Sequence, residues 1–101
     1  MAYGFVQDVP ANEEMYRQIK ATLGDEVPDG LVAHVALRRD EGLRYVDVWA
    51  TEQQWERFRE ERLEPAVEAV LASYGLPHDH SLVTITEFDV VDAWLGEHAA
   101  V

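Results

Sequence analysis

Cysteine is absent from this chain of 101 residues. That absence removes disulfides, thiolate nucleophiles, Cys-ligated zinc and iron–sulfur clusters. Basic residues are scarce: eight Lys and Arg stand against 20 Asp and Glu, a formal charge of −12. Such a surface repels a phosphate backbone, so no nucleic-acid partner is expected. An anionic membrane surface is disfavoured on the same ground. No apolar run approaches the ~18 residues that span a bilayer. The opening MAYGFVQDVP lacks a basic n-region and a long apolar h-region, so no signal peptide is expected. These features fit a cytoplasmic protein whose net charge serves solubility. The chain also lacks a Gly-rich phosphate loop, a G-x-S-x-G elbow and an H-E-x-x-H helix.

What is present is a folding sequence. Hydrophobic residues make up 48% of the chain, enough for one globular domain over residues 1–101. Residues 2–7 read as a short strand. A helix follows, with Asn12 as N-cap, Glu13 and Glu14 at the positive end of its dipole and Gly24 past its end. Met15, Tyr16, Ile19 and Leu23 form its apolar stripe. LVAHVALRRDEGLRYVDVWA, residues 31–50, reads as two strands around a turn. The second helix opens with the capping pattern of Thr51 and Gln54, buries Trp55, Phe58, Leu63, Ala66, Val67, Val70 and Tyr74, and ends at Gly75. Pro65 lies inside it and is expected to kink or split it. Residues 82–91 read as the last strand, and the tail from Asp92 as a short helical turn. The order β-α-β-β-α-β is the ferredoxin-like α+β pattern, a four-stranded antiparallel sheet with two helices on one face.

One residue disturbs this pattern. In RYVDVW, residues 44–49, Asp47 stands among strand formers, where an unpaired charge is costly. The hairpin register decides its surroundings, because side chains alternate faces. A three-residue loop pairs Arg39 with Leu43 and scatters polar groups over both faces. A four-residue loop pairs Arg38 with Leu43 and sorts them. Leu31, Ala33, Val35, Leu37, Val46, Val48 and Ala50 then share one face. Val32, His34, Ala36, Tyr45, Asp47 and Trp49 share the other, with His34 opposite Asp47. The second register is preferred, and it assigns the first face to the helices. A carboxylate opposite an imidazole favours the charged form of each. The His34 face remains apolar, with Tyr3 and Phe5 beside it, and needs cover. A second copy of the sheet, in a two-fold homodimer, is the expected cover.

GLVAHVA and GLRYVDVWATEQQWERFREERLEPAV resemble small proteins of the antibiotic biosynthesis monooxygenase-like group of the dimeric α/β-barrel superfamily, many of them from actinobacteria. The resemblance covers about residues 30 to 67 and implies the fold and the dimer. Members of that superfamily oxidise aromatic polyketides with O2 without metal or flavin, degrade haem, cyclise polyketides, or bind small molecules. The haem-degrading branch uses an Asn on its first strand, with a Trp and a His. Here residues 2–7 contain no Asn, and Asn12 reads as a helix cap. The cofactor-free oxygenases use Trp, Tyr and Asn near the pocket. Trp49, Tyr45 and Trp55 supply the aromatics, and the Asn is missing.

The expected site is therefore a pocket between sheet and dimer partner, working with no bound cofactor and no metal. His34 and Asp47 are its acid–base pair, and Tyr45, Trp49, Tyr3 and Trp55 line it. The substrate class is an aromatic or polyketide-like small molecule. The competing reading makes His34–Asp47 a structural pair, the strand aromatics dimer core, and the protein a non-catalytic binding or accessory dimer. Trp55, Phe58 and Tyr74, at helical spacing, read as core. His78, Asp79 and His80 have metal-ligand chemistry but no third partner nearby, and read as a solvated loop. His98 reads as solvated tail.

Overall fold

A computed structural model of the chain describes residues 2–96. Its elements are β1 (Ala2–Val9), α1 (Glu13–Leu23), β2 (Leu31–Arg39), β3 (Gly42–Trp49), α2 (Glu52–Phe58), α3 (Glu64–Ser73) and β4 (Thr84–Val90). A π turn, Arg59–Leu63, joins α2 to α3, and a short 3-10 turn, His80–Leu82, precedes β4. The four strands form one antiparallel sheet in the order β2-β3-β1-β4. This is the ferredoxin-like βαββαβ fold that the sequence predicts. His98 and the tail beyond Gly96 lie outside the described residues. Residues 92–96, expected as the start of a helical turn, have no regular structure.

The caps are formed by the expected residues. The Asn12 side chain accepts from the Met15 N–H at 2.8 Å, and the Thr51 hydroxyl accepts from the Gln54 N–H at 3.1 Å. Gly24 and Gly75 end α1 and α3 with φ of 85° and 70°, the left-handed conformation that suits a residue without a Cβ. Pro65 neither ends nor breaks the second helix: α2, the π turn and α3 run on as continuous helical backbone. The proline has no N–H to return to the preceding turn, and the chain answers with the π turn, in which the Glu64 N–H bonds to the Arg59 carbonyl.

The hairpin adopts the preferred register. Arg38 pairs with Leu43 and His34 with Asp47, and the ladder closes one step further, with Arg39 opposite Gly42. A bulge at Val32 interrupts it, so that Leu31 rather than Val32 stands opposite Trp49. The two faces are reversed from expectation. Phe5, Val9, Leu43, Asp47 and Trp49 are buried, while Val35 and Leu37 are 47% and 44% exposed. The helices cover the face of His34, Tyr45, Asp47 and Trp49. The aliphatic face of Val6, Val35, Leu37, Val46 and Val48 is the open one.

Bulk explains the reversal. The covered face carries the large rings, and α2 brings more. Phe5 packs on Trp55 at 4.6 Å between ring centroids, and Trp49 lies 5.5 Å from Trp55 and 5.4 Å from Phe58. Tyr3, Leu31 and Leu63 pack against this cluster. A fully buried aromatic removes far more apolar surface from water than a valine. The polar residues go with the rings because they find partners there, and a bonded polar group is tolerated in a core.

Candidate active site

His34 and Asp47 face each other across β2 and β3, beneath α1. His34 Nδ1 lies 2.6 Å from Asp47 Oδ1, a charge-assisted contact. The Trp49 indole N–H donates to Asp47 Oδ2 at 3.1 Å. Both carboxylate oxygens are thus engaged, and Asp47 is 5% exposed. On the other side of the imidazole, the Tyr16 hydroxyl lies 2.8 Å from His34 Nε2. The result is one chain of groups: phenol, imidazole, carboxylate, indole.

Tyr16 comes from α1, where the sequence marks it only as part of the apolar stripe. Its ring lies parallel to the imidazole at 6.0 Å, and Tyr45 closes the group at 5.5 Å from Tyr16 and 5.4 Å from His34. The missed signal was the polar tip of a tyrosine within an amphipathic stripe, which points a hydroxyl at the sheet. Glu13 on α1 also bonds Arg38 on β2, so two contacts hold α1 to this sheet edge.

Four expected site residues therefore meet: His34, Asp47, Tyr45 and Trp49. The expected setting between two sheets is corrected, because their face lies under the helices. Trp55 and Tyr3 belong to the neighbouring aromatic cluster, and the Tyr3 hydroxyl donates to Glu87 at 3.0 Å. Of the histidine loop, His78 differs from a solvated residue, being half-buried beside Glu68 at 3.8 Å. Asp79 is exposed and accepts from the Ser81 N–H and hydroxyl at 2.9 and 2.6 Å, and the His80 side chain lies outside the described residues. Two clefts of about 300 and 290 Å³ open elsewhere, between α1, the 24–30 loop and the second helical arm, and neither is lined by His34 or Asp47.

Burial pushes the phenols of Tyr16 and Tyr45 above the usual tyrosine range, and the nearby Asp47 charge adds to both. Both hydroxyls thus keep their protons through neutral pH. In the unfolded chain they ionise near pH 10, so above that value the unfolded state holds fewer protons than the folded one. Stability then falls as pH rises. An alkaline titration is expected to show phenolate absorbance appearing above pH 10, together with loss of the far-ultraviolet dichroism.

No protein-family model matches the chain, and no curated protein matches it. Solved structures do. A candidate antibiotic biosynthesis monooxygenase from Chloroflexus aurantiacus is 15% identical, with 93% of this chain and 97% of that one covered and a TM-score of 0.59. A mutant form of SnoaB, a cofactor-independent oxygenase from Streptomyces nogalater, is 17% identical over 91% and 95%, with a TM-score of 0.60. A protein of unknown function from Nitrosomonas europaea is 20% identical over 96% and 95%, with a TM-score of 0.58. They do not bear on the actinobacterial part of the resemblance. At these identities the likeness is one of fold: the chain has the architecture of antibiotic biosynthesis monooxygenase-like structures.

Proposed function

We propose that this protein is a small-molecule enzyme acting without a bound cofactor on an aromatic or polyketide-like substrate, as a monooxygenase or cyclase. One observation carries the reading: the His34 imidazole is held between a buried carboxylate and a phenol, with a quarter of its side chain exposed at the edge of the sheet. Asp47 fixes the ring, His34 takes or returns a proton, and the Tyr16 hydroxyl passes it. Tyr45 and Tyr16 offer an aromatic wall. Removing a proton from a phenol or an acidic carbon begins either reaction. The fold shared with the oxygenase SnoaB supports the oxygenase form.

Oxygen uptake with dithranol, a dihydroxyanthrone, tests this. A methylene proton goes to the base, and the carbanion takes up O2 to give the quinone and water. Wild type is expected to exceed the buffer rate, and His34→Ala to lose about 10²-fold or more of that excess. A wild-type rate equal to buffer retires the oxygenase reading. The second reading, a non-catalytic binding protein, is favoured by the complete engagement of the pair: both imidazole nitrogens and both carboxylate oxygens already have protein partners.

The homodimer belongs to the same proposal, on the opposite face of the sheet from the one expected. Val35, Leu37 and Phe88 are exposed on the uncovered side, around Val6, Val46 and Val48. A second copy would cover this patch in a two-fold arrangement. Light scattering is expected to return twice the monomer mass, and Val46→Glu the monomer mass.

A further inference from the structure

The larger cleft is lined by Glu26, Val27, Pro28 and Asp29 on one side and by Gln54, Arg57, Phe58, Glu61 and Arg62 on the other. Its apolar surfaces are Phe58, Val27 and Pro28. The Arg62 guanidinium lies over the Phe58 ring at 5.4 Å and donates one N–H to the Leu23 carbonyl, at the end of α1, at 3.0 Å. A guanidinium has five N–H donors. One is used by Leu23, and Arg62 lines both this cleft and the smaller one behind it, beside Leu23 and Pro65.

The charge pattern is the unexpected part. The chain carries 12 more acidic than basic groups, so a cation should find a carboxylate easily. Arg17, Arg38, Arg39, Arg44 and Arg59 all do. Among the described residues, the basic side chains that make no ion pair are Lys20, Arg57 and Arg62. Two of these three line one cleft. Glu26, Asp29 and Glu61 line it as well, yet neither guanidinium pairs with them. Two guanidiniums beside an apolar surface form a receptor for a flat anion: the apolar surface of Val27, Pro28 and Phe58 takes the ring and the fork binds the carboxylate. Glu26, Asp29 and Glu61 line the same cleft and oppose a second negative charge, which sets the limit at one. The volume, at the lower end for ligand pockets, suits a ligand of one or two rings.

We infer that this cleft is a binding site for a small aromatic monocarboxylate, held by Arg57 and Arg62 with its ring against Val27, Pro28 and Phe58. It is separate from the His34–Asp47 group and does not depend on the reaction proposed there.

Calorimetric titration with naphthoate tests the assignment. Saturable binding to wild type is expected, with affinity falling about tenfold in Arg57→Gln and more in Arg57→Gln/Arg62→Gln. The methyl ester, which keeps the rings and loses the charge, is expected to bind about tenfold more weakly. Arg57→Gln removes no hydrogen bond within the protein, so it stays decisive even if loss of the Arg62–Leu23 bond disturbs folding. Absence of saturable binding, equal affinity for acid and ester, or unchanged affinity in Arg57→Gln would each overturn the proposal.

Discussion

Replacing Asp47 with alanine is expected to destabilise the folded protein by about 3–5 kcal/mol. The carboxylate has two oxygens and two protein donors, His34 and the Trp49 indole. Alanine leaves both without an acceptor under α1, and a buried orphan donor costs its full desolvation. Asp47→Asn is expected to cost much less, about 1 kcal/mol. The amide oxygen can accept from the indole while the amide N–H donates to His34 Nδ1. The imidazole then carries its proton on Nε2 and donates it to Tyr16. Urea unfolding of the two variants checks the energies, and nitrogen NMR of His34 checks the tautomer. Equal losses would mean that the charge, and not the bonding pattern, holds the site. The asparagine variant also separates stability from chemistry, because it keeps the fold and removes the negative charge behind the imidazole.

Trp49→Ala is the other large effect, again about 3–5 kcal/mol. Trp49 is 1% exposed and touches both Trp55 and Phe58. Its removal opens a cavity at the centre of the aromatic cluster and strips one donor from Asp47. Trp49→Phe retains most of the ring volume and loses the indole N–H, so its cost of about 1–3 kcal/mol measures the bond to the carboxylate. The two sites share a hydrogen bond and are not independent. The Asp47→Ala/Trp49→Ala double variant should therefore be less destabilised than the two single losses added together. Additive losses would show that the indole serves packing alone. Chemical denaturation of the four proteins, wild type included, completes the cycle.

The helix caps, the succession of strands and helices along the chain and the cross-strand meeting of His34 with Asp47 were legible because each follows from local chemistry. Asn12 and Thr51 cap for reasons written within three residues of them. The hairpin register follows from sorting polar from apolar along two adjacent strands. Which sorted face the helices take is a tertiary matter. It was misread by treating Asp47 and His34 as misfits in a core, whereas Trp49 and Tyr16 supply their missing bonds. Tyr16 stands 18 residues from His34, on a helix whose rotation no local pattern fixes. The bulge at Val32 was hidden for a similar reason: it exists to bring Leu31 against the cluster around Trp49. Pro65 announced a break, but only the folded chain shows that an extra residue in the turn absorbs it.

That π turn has a consequence for descent. A single inserted residue turns everything after it by about 100° around a helix axis. Before the turn, Trp55 faces the sheet; after it, Ala66 and Val70 are buried and Gln18 of α1 bonds Tyr74 at the end of α3. One rod thereby serves two partners that a regular helix would have to choose between. Loss of one codon among residues 59–63 would remove the wide turn and leave Pro65 inside a regular helix, where it has no N–H to give and its ring meets the preceding turn. Lineages carrying this architecture are thus expected to vary readily in side chains along this stretch, and hardly at all in its length.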